Sequence, residues 1–226
     1  MRDELMKLEY FNSFIERDGR RIESFTSMIA NGEVSQERVL PVTTKIHDLR
    51  LGVLIAGYSR GDDLDILQKE YSTLLEEWKN VFVGDFYNKG LRMFSLGVLF
   101  RTDKKILKDY FEMYKTSGND DWLYEFLVSD GLHPESITSN LQFPAAYEKL
   151  KSTILSGEAN SEDIKAYLNG WYKNHRSCGW YDSHKSKQMT YHGYWSFEAG
   201  AVAKLLQIDD SALREDSFYP FDLVRY

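Results

Sequence analysis

The sequence predicts an all-α fold, an irregular stack of about eight to ten antiparallel helices paired as helical hairpins, with no substantial sheet. Three observations lead there. Apolar residues recur at three- and four-residue spacing along most of the chain. Only Pro41, Pro134, Pro144 and Pro220 interrupt it, and the alternation a half-buried strand requires is nowhere sustained.

The elements follow in order. Leu8, Phe11, Ile15, Ile22, Phe25 and Ile29 form one apolar stripe, weakened at Gly19, and predict a long amphipathic first helix. KIHDLRLGVLIAGYSRG gives a second helix within residues 40–58, with Pro41 in its first turn or closing an earlier short helix. DDLDILQKEYSTLLEEW sets Leu64, Leu67, Tyr71, Leu74, Leu75 and Trp78 on one face, capped by Asp62 or Asp63. LRMFSLGVLF, TDKKILKDYFEMYK (capped by Thr102 or Asp103), NDDWLYEFLV, PAAYEKLKSTIL (Pro144 at its start) and SEDIKAYLNGWYK supply further helices. KNHRSCGWYDSHKSKQMTYH, residues 173–192, has no helical period and reads as a long loop. The chain divides into an N-terminal helical region, 1–117, and a C-terminal one, 118–226, expected to form one compact unit.

A weak repeat runs through this layout. LGVLIAGYSRGDDLDIL, LGVLFRTDKKIL and AGAVAKLLQIDDSAL each pass from a small-apolar helix through a polar turn into a capped segment. Gly52, Ala56, Gly97, Ala199, Gly200, Ala201 and Ala203 suit close helix approach.

Composition narrows the function. The 42% hydrophobic and 15% aromatic content can build a core. With 35 acidic against 28 basic residues, the net charge of −7 repels phosphate backbones, which argues against direct nucleic-acid binding and for a basic protein partner. No apolar run approaches the roughly 18 residues that span a bilayer, and MRDELMKLEY carries charge where a secretory leader needs apolar residues, so a cytoplasmic protein without membrane contact is expected. Cys178, the one cysteine, excludes an internal disulfide.

His175, Cys178, His184 and His192 match a zinc site in number, but their spacing lacks paired ligand knuckles; no metal or cofactor is expected. The alternative is that His175 and Cys178 pack beneath aromatics while His184 faces solvent. Catalysis by Cys178 would need a polarising base and an oxyanion site, and a lone cysteine is more often a small buried apolar residue; Arg176 and His184 are too far apart for one helical face, and Gly52, Gly57 and Gly61 lie along a helix and its end rather than between strand and helix. The reading is therefore non-enzymatic, with no catalytic residues. The carboxylate pairs Asp62/Asp63, Glu76/Glu77, Asp120/Asp121 and Asp209/Asp210 are first helix-end groups, and second a set of negative ends that one basic partner could meet together.

GYWSFEAGAVAKLLQIDDSALREDSFYPFDLV resembles the C-terminal signature of the PoNi-type bacterial immunity proteins, which neutralise PoNe DNase effector toxins. The resemblance is carried by Gly193-Tyr194-Trp195-Ser196-Phe197-Glu198-Ala199, Ile208-Asp209-Asp210-Ser211 with Leu213, and Tyr219-Pro220 with Asp222-Leu223. Phe14 to Phe25 is similar, more loosely, to that family's N-terminal region. The resemblance implies a helical protein of interbacterial competition that binds a cognate nuclease toxin stoichiometrically; the alternative is a non-enzymatic helical scaffold or adaptor. A homodimer is left open.

Asp62, Asp63, Asp65, Asp120, Asp121 and Glu125 are the expected toxin contacts, with Trp122 or Tyr124 as aromatic anchors; the alternative for Trp122 is a core position. Charge reversal at Asp120 and Asp121 is expected to weaken binding without unfolding the chain. Tyr194, Trp195, Phe197, Glu198, Asp209, Asp210, Tyr219, Pro220 and Asp222 are assigned structural roles: aromatic packing ahead of the last long helix, Glu198 capping or bridging neighbouring segments, and Tyr219-Pro220 pinning the chain end.

Overall fold

A computed structural model describes residues 1–82, 87–129 and 137–226. Among the described residues there are ten α-helices and no strand, as the periodicity predicts: α1 (Leu8–Ala30), α2 (Gln36–Arg60), α3 (Leu64–Trp78), α4 (Tyr87–Leu99), α5 (Lys104–Thr116), α6 (Trp122–Val128), α7 (Pro144–Leu155), α8 (Ser161–Asn174), α9 (Phe197–Leu205) and α10 (Phe221–Arg225). Pro134 lies outside the described residues.

The chain forms two compact units, each discontinuous in sequence. The first comprises residues 1–82 and 182–193. Here α1 and α2 form a hairpin, and α3 packs along α2, burying Leu67, Tyr71, Leu74, Leu75 and Trp78. Gly52 of α2 faces the Phe14 ring of α1, where a Cβ would sit 3.7 Å from its Cζ, an ordinary contact that does not demand glycine. The Phe14–Phe25 run has a structural use: buried Asp18 pairs with Arg17 and Arg21, each at 2.9 Å, and Arg17 donates to the Gln188 carbonyl at 2.7 Å. Residues 182–193 thus return to α1. They are held as well by the Ser59 hydroxyl donating to the His192 carbonyl at 2.8 Å and by the Tyr191 hydroxyl donating to buried Asp3. Burial pushes the Asp3 carboxyl up, against the hydrogen bonds from Tyr191, Met6 and Leu5.

One expectation changes in this unit. Pro41 lies well inside α2, which starts at Gln36, so one extra turn forms ahead of it; Thr43 and Thr44 donate back to the Val39 and Leu40 carbonyls there. Along the α1 stripe only Phe11 and Phe14 are buried; Leu8 is 47% exposed, and Ile15, Ile22, Phe25 and Ile29 remain partly exposed.

The second unit comprises the described residues of 83–181 and 194–226. Its centre is α4 against α9. Every residue from Phe197 to Ala203 is buried, so α9 is apolar around its circumference, as an interior helix must be. Gly200 is required: a Cβ there would meet the Pro220 ring at 2.6 Å and Val224 of α10 at 3.1 Å. Around this centre α5 and α6 pack together, α7 pairs with α8, and α10 closes on α9.

The weak sequence repeat has a physical basis in how helices end. After α2, α4 and α9 the chain turns through a residue at positive φ: Gly61 (103°), Arg101 (57°) and Gln207 (53°). The next N–H then returns to the carbonyl five residues back: Asp62 to Gly57 (3.0 Å), Thr102 to Gly97 (2.9 Å) and Ile208 to Ala203 (3.0 Å). This is the Schellman closure, which satisfies carbonyls the helix end would strand. Only Gly61 is the residue the geometry favours. Gln207→Gly is accordingly expected to raise stability by about 0.5–1 kcal/mol, read as a higher urea midpoint at unchanged slope.

Candidate functional site

The acidic groups expected to meet a partner fall in both units. In the first, the end of α2 and start of α3 carry Asp62, Asp63 and Asp65. Asp63 is the cap, its carboxylate accepting from the Asp65 and Ile66 N–H groups at 2.9 and 3.3 Å. Asp62 is taken by Arg60 through two parallel bonds of 2.7 and 2.6 Å, which hold the Arg60 guanidinium above its ordinary value. Asp65 and Glu70 are exposed, and Ile66 beside them is 55% exposed. Partial burial, followed by the Asp62 charge, pushes the Glu70 carboxyl up: this end holds more negative charge than its own basic groups offset. Arg2 anchors the N-terminal segment onto it, donating to the Asp62 carbonyl at 2.9 Å and lying 4.8 Å over the Tyr58 ring.

In the second unit the expected contacts are mostly interior. Asp121 is 0% exposed; it caps α6 by accepting from Leu123 (3.0 Å) and Tyr124 (3.1 Å), and also accepts from Gln142 N–H (2.9 Å) and the Tyr87 hydroxyl (3.2 Å). Burial nonetheless pushes its carboxyl up. The proposed anchors are core: Trp122 stacks on Phe126 at 5.4 Å between centroids, and Tyr124 stacks on Tyr87 at 4.9 Å and donates to its carbonyl. Neither ring leaves area for a partner. Lysine at Asp121 would strand four donors, so the expectation that charge reversal there spares the fold is corrected. Asp120 and Glu125 are partly exposed but engaged, accepting from the Thr138 hydroxyl and N–H respectively.

The histidine and cysteine residues do not converge. Among the described residues no group of three His, Cys, Asp or Glu side chains could hold a metal ion. His175 and Cys178 belong to the second unit, His184 and His192 to the first. Buried His175 places Nδ1 2.7 Å from the Trp171 carbonyl and Nε2 3.0 Å from the Tyr147 hydroxyl, so both ring nitrogens are engaged within the unit. Burial pushes the Cys178 thiol up, away from a nucleophilic thiolate. His184 is partly buried against Tyr191 rather than free in solvent.

The signature residues form the frame of the second unit. Tyr194, Trp195, Phe197, Tyr219 and Pro220 are buried, while Asp209 and Asp222 stay exposed. Glu198 Oε1 accepts from Tyr167 (2.9 Å), Trp171 (2.5 Å) and Ser196 (2.7 Å), tying α8 to α9. Asp210 accepts from Tyr219 (3.1 Å) and Arg225 (2.7 Å), and Asp209 closes the turn at Ser211. Local sequence reading missed Asp3 and Lys204, whose partners lie far along the chain, and Asp18, whose partners Arg17 and Arg21 are its near neighbours in α1. Lys204 donates to the Leu99 and Leu223 carbonyls at 2.6 and 3.3 Å, and burial pulls it down to about 8.

The fold defines an all-α helical protein in which Asp121, Glu198 and His175 are engaged in the interior of the second unit. The comparisons give the family. The sequence profile "PoNe immunity protein (PoNi), N-terminal" matches residues 2–111 and "PoNe immunity proteins (PoNi), C-terminal" matches residues 119–223. The chain belongs to the PoNe immunity protein family. A solved structure described as "The Crystal Structure of Protein PA2201 from Pseudomonas aeruginosa" is similar at a TM-score of 0.77 and 16% identity, covering 100% of this chain and 89% of that one, a likeness of fold. No curated protein matches. No helix among the described residues is long and apolar enough to cross a membrane.

Proposed function

We propose that this chain neutralises a cognate DNase toxin in the cytoplasm by one-to-one binding, without catalysis, and that the α2–α3 end is part of the contact. What carries the reading is membership of the PoNe immunity family through both halves of the chain. Physical chemistry supports it. A nuclease domain needs basic residues to hold DNA, and a partner at −7 is steered toward that surface and competes with phosphate for it. Of the acidic groups, Asp62, Asp63, Asp65 and Glu70 share one helix junction with an exposed apolar side chain, Ile66, in their midst; this is the arrangement of a charged rim around an anchor.

Titrating the chain into DNA cleavage by the cognate nuclease domain tests the mode of action. Inhibition should be complete at one equivalent; inhibition by a small fraction of an equivalent would point to catalysis instead. Asp65→Lys with Glu70→Lys should weaken binding about tenfold at low salt, mostly in the association rate, and leave the melting temperature nearly unchanged. Unaltered affinity would remove this end from the interface.

A further inference from the structure

We infer that the free end of the α1–α2 hairpin, residues 19–45, is a self-association surface that docks onto a second copy of this chain. From Gly19 to Lys45 not one residue is buried, although the run contains Ile22, Phe25, Met28, Ile29, Val39 and Leu40 on two regular helices. The contrast with the same helices nearer their other ends is sharp: α1 buries Phe11, Phe14 and Asp18, and α2 is buried almost continuously from Ile46 to Ser59, where α3 covers it. The arm ends in a tight turn, with Gly32 at φ 71° and Glu33 N–H returning to the Met28 carbonyl at 2.9 Å, so its backbone is hydrogen-bonded to the tip. Two helices can bury one seam between them and no more. Leu40 is 53% exposed.

Charge selects the occupant. Arg20, Arg21, Arg38 and Lys45 against Glu23, Glu33 and Glu37 leave the arm at +1, so the remainder of the chain carries −8 of the total of −7. A basic nuclease surface gains nothing from meeting this arm, whereas the acidic body of another copy does. Area sets the geometry. About twelve residues of each helix give a face about 18 Å long and about 20 Å wide, on the order of 400 Å². That is about half of what each partner contributes to a stable interface, so arm against arm is too small. A two-fold exchange, each arm lying on the other copy's body, doubles the contribution and closes without forming a filament.

Sedimentation equilibrium of the full chain tests this. The wild type should be a dimer at micromolar concentration. Leu40→Glu, at an exposed position, should be a monomer with unchanged helix content by circular dichroism. Arg38→Glu keeps the apolar seam but takes the arm to −1, and should raise the dimer dissociation constant severalfold. A wild type that stays monomeric overturns the inference, as does a dimer indifferent to both substitutions. So does a monomeric wild type in which Leu40→Glu abolishes nuclease inhibition, which would give the arm to the toxin.

Discussion

Replacing Asp121 by alanine should lower the free energy of unfolding by about 3–5 kcal/mol, measured by urea denaturation, with loss of the α6 region first. One carboxylate serves the α6 N–H groups of Leu123 and Tyr124, the Gln142 N–H and the Tyr87 hydroxyl, at 0% exposure. Loss of a helix cap alone costs about 0.5–2 kcal/mol, and each buried donor left without an acceptor adds about 1–3 kcal/mol before relaxation. Asparagine keeps the shape but turns an N–H₂ group toward a donor, so Asp121→Asn should cost less, about 1–2 kcal/mol. The two variants differ from wild type in pH dependence. Burial raises the folded-state pKa of Asp121 above its unfolded 3.8, so the native state binds the proton more tightly. Wild-type stability from this group therefore rises as pH falls through the raised pKa toward 3.8, and is lost again on returning to neutrality; Asp3 acts in the same sense. The stability gap between wild type and Asp121→Asn should widen on acidification, and a gap that stays constant would mean the carboxylate is not disfavoured by its site.

Glu198→Ala should be comparably damaging, at about 4 kcal/mol. It leaves the Tyr167 hydroxyl, the Trp171 indole N–H and the Ser196 hydroxyl without their shared acceptor inside the second unit. Arg92 is affected too: burial pulls its guanidinium down, and the Glu198 charge is the first influence holding it up. Glu198→Gln retains Oε1 and should recover most of the loss. If alanine is tolerated within about 1 kcal/mol, Glu198 is not the tie between α8 and α9 that its bonds describe.

These two residues mark where sequence reading works and where it stops. Helix α3 was legible residue by residue, from the Asp63 cap to Trp78, because its partner lies on one side and its apolar spacing records that. Asp121 was legible as a cap and misread as surface. The correction was available locally: WLYEFLV is apolar in all but one position, a helix apolar all round is interior, and its cap is carried inside with it. The outer half of α1 marks a different limit. Its stripe is as regular as the buried part, and periodicity records that a face is apolar without recording what covers it. Asp3 left no local trace, since its partner Tyr191 depends on residues 182–193 returning to α1, whereas the partners of Asp18, Arg17 and Arg21, stand beside it in the sequence and were passed over.

That return also sets a schedule. At about 5–20 residues per second, some 6–22 s of synthesis separate Phe82 from Gly193. Throughout that interval the first three helices are in the cell without Tyr191 for Asp3, without the His192 carbonyl for Ser59, and without the Gln188 carbonyl for Arg17. The helical hairpin can form early, but its closing piece is translated only after residues 83–181 of the second unit, and the second unit in turn waits for residues 194–226: the first unit is completed only at Gly193 and the second only beyond it.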